Sequence, residues 1–273
     1  MFFSPIKTEP IPERVLSISR IVADKAPIEE KELERILIPI ELNTAKTSYF
    51  RPVFDTAVEL GLIGYDDDHK VVFIGDKNVI KSLKEFRRFC NSIVFSDHHT
   101  EFYAIISLFL DVDDKWLKLG SITGSDSILR DVTKVTSSPS LSLQKDILLG
   151  VRFWINYLGF GYFQESDKIF LPNMYTALKD FIALGNLDKG QEYSIEDFLN
   201  NLHVGSAVAL KNARVSQTLN LAMSNALRLM HDNKEIELKI HLDSEKTWHL
   251  FPNEEHEFTS DVTHILVKEA IEV

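Results

Sequence analysis

The sequence predicts a mainly α chain with small β-hairpins (α+β). Three observations predict it. The stretch "LGLIGYDDDHKVVFI" (60–74) returns as "LGFGYFQESDKIFL" (158–171), with the same spacing from Leu-Gly to Lys70 and Lys168. Each is preceded by apolar residues stepping three, four, three: Phe50, Val53, Ala57, Leu60 and Leu148, Val151, Ile155, Leu158. That is one face of an α-helix. A third, weaker copy has Leu219, Ala222, Ala226 and Leu229 ahead of alternating Ile236, Leu238, Ile240 and Leu242.

Taken in order, "PERVLSISRIVADK" (12–25) and "IEEKELERILIPI" (28–40) read as short helices. The helix of Phe50 and Leu60 follows, stopped by Gly61 in left-handed geometry. A polar turn at 66–69 closes the first hairpin. "NVIKSLKEF" (78–86) continues as a linker helix with Val79, Leu83, Phe86 and Cys90 on its apolar side. "HTEFYAIISLFLDV" and "DDKWLKLGSI" precede the second repeat helix, Gly159 stops it, and residues 164–167 turn the second hairpin. "NMYTALKDF" (173–181) lines up with the first linker helix. "SIEDFLNNLH" and "GSAVALKNAR" precede the third helix, which Asn233 is expected to cap. "DSEK" then turns the chain and "TWHLF" is expected to return against residues 236–242.

Two helices, a third amphipathic helix and a hairpin resemble a winged helix-turn-helix. The expected layout is a first module at 1–76, a linker helix at 77–96, a second module at 97–172, a linker helix at 173–187, and a third module with a C-terminal strand at 188–273.

Composition narrows the function. The chain has 273 residues, a formal net charge of −11 and one cysteine, Cys90. No internal disulfide can form, and a reducing, cytoplasmic setting is expected. "MFFSPIKTEP" has no signal-peptide pattern, and no apolar run approaches the ~18 residues of a membrane span. The acidic balance argues against a body coated for nucleic acid but allows a local basic face.

DNA contact needs Lys or Arg for phosphates and Asn, Gln, Ser, Thr or Arg for base edges. The first module offers Lys46, Thr47, Ser48, Tyr49 and Arg51, with an acidic wing tip. The second offers Arg152, opposed by Glu165 and Asp167. Residues 200–230 contain no acid; Lys211, Arg214 and Arg228 lie there, with Ser216, Gln217, Thr218 and Asn220 at the helix start. Burial or partner packing also explains such a stretch. On the first linker helix, Lys77, Lys81, Lys84 and Arg88 form a stripe spaced four, three, four, beside Arg87. The stripe reads as a phosphate-binding face or as an ordinary solvated one.

No catalytic arrangement emerges. "IVFSDHHTE" resembles the signature of DHH phosphoesterases at Asp97, His98 and His99, but the upstream Asp-x-Asp motif is missing. Ser96 or Asp97 is expected to cap a helix instead. "GSITGSDS" lacks the Lys-Ser/Thr ending of a phosphate loop. His231, His241, His249, His256 and His264 show no ligand spacing. No cofactor, metal or enzymatic activity is expected.

The order of parts also resembles the DpdG family. "PERVLSISRIVADKAPIEEKELERILIP", a winged helix ending "ELGLI", a long middle and a closing "DVTHILVKE" carry the resemblance. It implies an accessory role in bacterial loci that insert and police 7-deazaguanine bases in DNA, on the restriction or phage-defence side, beside helicases and nucleases. It carries over no active-site residues. The expected function is a non-catalytic adaptor of such a complex, with other proteins of the locus and weakly bound double-stranded DNA as partners. The alternatives are a protein–protein scaffold without DNA contact and a transcription regulator.

Overall fold

The computed structural model describes residues 2–38, 49–111, 113, 145–164, 169–211, 213–244, 246–269 and 271. The chain is mainly helical with small antiparallel sheets, an α+β fold. Among the described residues no helix is long and apolar enough to cross a membrane.

The first part holds α1 (Pro12–Lys25), α2 (Glu30–Leu37), α3 (Phe50–Glu59) and a hairpin of β1 (Ile63–Tyr65) and β2 (Val71–Phe73). Proline in the first turn of α1 fits there because its missing N–H has no helical acceptor to lose. Val15, Ile18 and Val22 are buried, and α1 packs on α3 and β2. Ile28 exchanges two backbone hydrogen bonds with Val71, at 3.1 and 2.8 Å. It therefore acts as a one-residue strand, giving the order Ile28, β2, β1.

Phe50, Val53, Ala57 and Leu60 all face the core. The helix stops as expected at Gly61, with φ +66°. Gly61 N–H donates to Val58 at 2.8 Å and Leu62 N–H to Ala57 at 3.1 Å, the paired bonds of a Schellman stop.

The expected linker helix at 77–96 is broken. A 3₁₀ turn (Lys77–Ile80) comes first, and α4 (Leu83–Ile93) starts afresh. Ser82 Oγ accepts from Glu85 N–H at 3.1 Å, so "SLKE" caps a new helix. Leu83, expected on the apolar side, is 51% exposed at that helix start.

α5 (Glu101–Asp111) is nearly all apolar and buried along most of its length. Its start is held by Thr100, whose Oγ1 accepts from Tyr103 N–H at 3.1 Å. The cap is thus Thr100, not Ser96 or Asp97; Asp97 instead accepts from His99 N–H at 2.8 Å in the preceding turn.

α6 (Lys145–Leu158) leads into β3 (Gly161–Gln164) and β4 (Ile169–Pro172). Gly159 (φ +86°) repeats the first stop: its N–H donates to Asn156 at 3.2 Å, and Phe160 N–H donates to Ile155 at 3.1 Å. Val151, Ile155 and Leu158 are buried, as their spacing predicts. Trp154 Nε1 donates to Pro10 carbonyl at 2.6 Å, and Phe2 packs edge-on against Trp154 and Phe102. The N-terminal segment is thereby tied into the middle of the molecule.

The last part runs α7 (Tyr175–Leu184), β5 (Glu192–Ser194), α8 (Ile195–Asn201), a 3₁₀ turn (Val204–Ser206), α9 (Ala207–Leu210), α10 (Ala213–Ser216) and α11 (Leu221–Asp232). β6 (Ile236–Lys239), β7 (Trp248–His249), β8 (Asp261–Val262) and β9 (His264–Val267) follow. The expected hairpin of residues 236–242 with "TWHLF" does not form. β6 pairs instead with β9, which also pairs with β5, giving the order β5, β9, β6. β7 pairs with β8 in a separate ribbon. Ile236 and Leu238 are buried, but Ile240 is 51% exposed and Leu242 fully so, so the apolar alternation outruns the strand.

α11 also ends in a Schellman stop. The left-handed residue is Lys234 (φ +62°), one place beyond the expected Asn233. Lys234 N–H donates to His231 at 2.9 Å and Glu235 N–H to Met230 at 2.9 Å. One continuous apolar cluster runs from Phe2 to Ile271 and joins all three parts.

Candidate nucleic-acid and partner surfaces

Of the cations proposed in the first module, Arg51 is exposed at the start of α3. It is not idle: Nε lies 2.8 Å from Asp55, Nη1 lies 3.3 Å from Glu30, and the guanidinium sits over the Phe54 ring. Tyr65 hydroxyl also donates to Glu30. The exposed side of α3 thus carries paired charge rather than a bare cation. The turn at its wing is acidic, with Asp66 Oδ1 accepting from the N–H groups of Asp68 and Lys70. Lys46, Thr47 and Ser48 lie outside the described residues, as do Glu165 and Asp167.

The four-residue stripe loses its geometry with the helix break. Lys77 and Lys81 sit on the 3₁₀ side, Lys84 and Arg88 on α4. Lys77, Lys81 and Lys84 are exposed, Lys81 holding the Asn78 side chain at 2.5 Å. Arg88 turns toward the interior, its Nε 3.8 Å from Asp180.

Asp180 is the residue that sequence reasoning missed. It is 1% exposed on α7 and gathers three groups of α4. Arg87 grips both carboxylate oxygens at 2.8 and 3.0 Å. Asn91 Nδ2 donates to it at 2.8 Å and to the Leu158 carbonyl at 3.1 Å. A buried carboxylate persists only when so compensated. Its counterpart in the aligned sequence, Glu85, is half-buried with a side chain 44% exposed, so the shared "acid-Phe" pattern hides different environments. Cys90, beside this group, is fully buried, and burial pushes its thiol well above the usual range, which leaves it inert as a nucleophile.

In the acid-free stretch, α11 is buried on most of its surface: Ala222, Met223, Ala226, Leu227 and Met230 all face the core. Leu229, predicted inward, is 37% exposed. Arg228 is buried and donates to the carbonyls of Phe258 and Thr259 at 3.0 and 2.9 Å. Asn220 caps α11, accepting from Met223 N–H at 2.9 Å while donating to the Ala209 carbonyl at 2.9 Å. Gln217 takes a left-handed backbone (φ +53°) in the turn before it. Among the described residues, the exposed polar groups of this stretch are Asn200 on α8 and, on α10 and its flanks, Lys211, Arg214, Ser216 and Thr218, with Arg214 donating to Asn200 at 2.6 Å. Val215 stands among them 91% exposed.

Among the chemistry-bearing motifs, His98 stacks on Tyr103 at 4.8 Å between ring centres. Residues 120–127 lie outside the described residues.

The DpdG-like family model matches residues 6–244. The chain belongs to the DpdG-like family. The match takes in α1 through β6 and stops before β9, so the closing "DVTHILVKE" that contributed to the resemblance falls beyond it. No curated protein and no solved structure gives a significant match. Membership points to an accessory role in a Dpd DNA-modification locus.

Proposed function

We propose that this DpdG-like chain is a non-catalytic adaptor of a Dpd modification and restriction complex, assembled from three winged-helix units. Strand order supports the fold reading. A winged helix places a short strand between its first two helices, and that strand pairs with the last strand of the wing. The first unit has this order in Ile28, β2, β1, and the third has it in β5, β9, β6. On this reading the two expected linkers are first helices: α4 packs on α6, and α7 packs on α11. The third unit carries its wing as the long segment between β6 and β9.

The observation that carries the functional reading is the burial of α11. A helix-turn-helix reads bases by laying its last helix in the major groove. α11 keeps its side chains for the core and for holding residues 258–259. Sequence-specific regulation is therefore the weaker alternative. Contact with other proteins of the locus fits the net charge of −11 and the exposed Val215. Duplex contact is confined to phosphates, through Lys77, Lys81 and Lys84 or through Lys211 and Arg214.

Fluorescence anisotropy with unrelated duplexes tests this. Binding is expected in the non-specific range, about 10⁻⁴ to 10⁻⁶ M, with log K falling by about 0.9 per log salt for each phosphate met. Lys77, Lys81 and Lys84 replaced by Glu should abolish it if the first patch is used, and Lys211→Glu with Arg214→Glu if the second is. Nanomolar, sequence-dependent binding would overturn the adaptor reading in favour of a regulator.

A further inference from the structure

Residues far apart in the sequence meet on the outer face of the third sheet. Glu192 opens β5, His264 opens β9, and His241 lies two residues past β6. The register pairs Glu192 with Leu266, and His264 with both Ser194 and Lys239. Side chains alternate along a strand, so Glu192, His264 and Lys239 share one face while Ile265, Val267 and Leu238 fill the core. His241 is brought alongside by its own N–H, which donates to Thr263 Oγ1 at 2.8 Å. Its ring stacks on that of His264, with centres 4.2 Å apart. Its Nε2 lies 3.4 Å from Glu192 Oε1. Among the described residues, this trio is the group in which one donor atom from each residue lies within 4.8 Å of the others.

The hydrogen bonding prepares His264 for a ligand. Thr263 Oγ1 lies 3.2 Å from the Lys239 carbonyl, which can only accept, so the hydroxyl proton goes there. The oxygen then accepts from His241 N–H and, at 3.0 Å, from His264 Nδ1–H. That tautomer leaves a lone pair on His264 Nε2. A ligating histidine whose other nitrogen donates to a fixed acceptor is the usual outer-shell arrangement of metal sites. The two oxygens of Glu192 are also divided: Oε2 holds Lys239 at 2.5 Å, and Oε1 is the one turned to His241.

We propose that Glu192, His241 and His264 form a binding site for a zinc-type divalent transition-metal ion. Two imidazoles and one carboxylate favour zinc, nickel or copper over magnesium or calcium, whose preferred ligands are oxygens. Zn–N and Zn–O bonds are about 2.0–2.2 Å, so the three donors must draw closer than they stand. The His241 side chain is 39% exposed and lies past the strand end, where it can make that adjustment. Three protein ligands leave a fourth position open. It would face a cavity of about 500 Å³ lined by Ser194, Glu196, Asp197, Lys246 and Trp248 among others. The ion would tie β5 and β9 to the segment after β6. Lys239 competes for the carboxylate and weakens the site.

Isothermal titration of the full chain with zinc chloride tests the proposal. One equivalent should bind, with a rise in melting temperature. His264→Ala and His241→Ala should each weaken binding by at least about tenfold, and Thr263→Val by about 10-fold through loss of its hold on His264. His98→Ala should leave it unchanged. Affinity should fall on acidification, because metal ligands bind in their deprotonated form. Circular dichroism of each variant separates lost ligands from lost fold. Absence of stoichiometric binding, or binding unchanged in both folded His→Ala variants, would overturn it.

Discussion

Asp180 shows how much one side chain can hold. It is the shared acceptor of Arg87 and Asn91, and so joins α4 to α7 beneath the surface. Removing one partner of a buried pair leaves the other uncompensated, at a cost of about 3 kcal/mol. Asp180→Ala should lower the urea midpoint accordingly, while Glu85→Ala, at the aligned position, removes only an acid from the first turn of α4 and should cost about 0.3–1 kcal/mol. Equal effects would mean that the buried network contributes nothing special. No local signal in "TALKDF" marks this aspartate as buried, because what buries it lies on another helix.

Helix stops were the most legible elements. Gly61 and Gly159 each end a helix with the same pair of hydrogen bonds, because only a left-handed residue lets the chain turn back so sharply. Their surroundings differ. A Cβ at Gly61 would meet nothing within 4 Å, whereas at Gly159 it would lie 2.6 Å from Thr176 Cβ and 2.7 Å from Ala177 N. Gly61→Ala should therefore cost only the conformational penalty, about 1–2 kcal/mol, and Gly159→Ala clearly more. At the third stop the left-handed residue is an exposed lysine, so Lys234→Gly should stabilise by about 1 kcal/mol. Thermal or urea unfolding ranks all three. Other elements were less legible. The "SLKE" capping box was present in the sequence, yet an unbroken four-three-four row of cations suggested one helix where the chain makes two. The partner of β6 was hidden for a different reason: β9 is remote in sequence, and Ile240 and Leu242 continue an alternation that has no structural counterpart.

Across the whole molecule, one core runs through three parts, each of helices with small antiparallel sheets, and an N-terminal segment is pinned by Phe2 and Trp154. The family match ends at residue 244, but the third sheet needs its central strand β9. Truncation after residue 259 should leave β5 and β6 as unpaired edges and yield aggregated protein. Candidate binding residues were only partly legible, because a sequence shows which residues are basic but not which are buried. Arg228 and Arg88 turn inward, while Lys77, Lys81, Lys84, Lys211 and Arg214 stay outside. The adaptor reading is tested most directly by co-expressing the tagged chain with the other products of its Dpd locus and sizing the purified material. The account predicts co-elution with at least one of them, unchanged by the charge-reversal substitutions and by nuclease treatment. Elution of the chain alone, or a complex that nuclease dissolves, would contradict it.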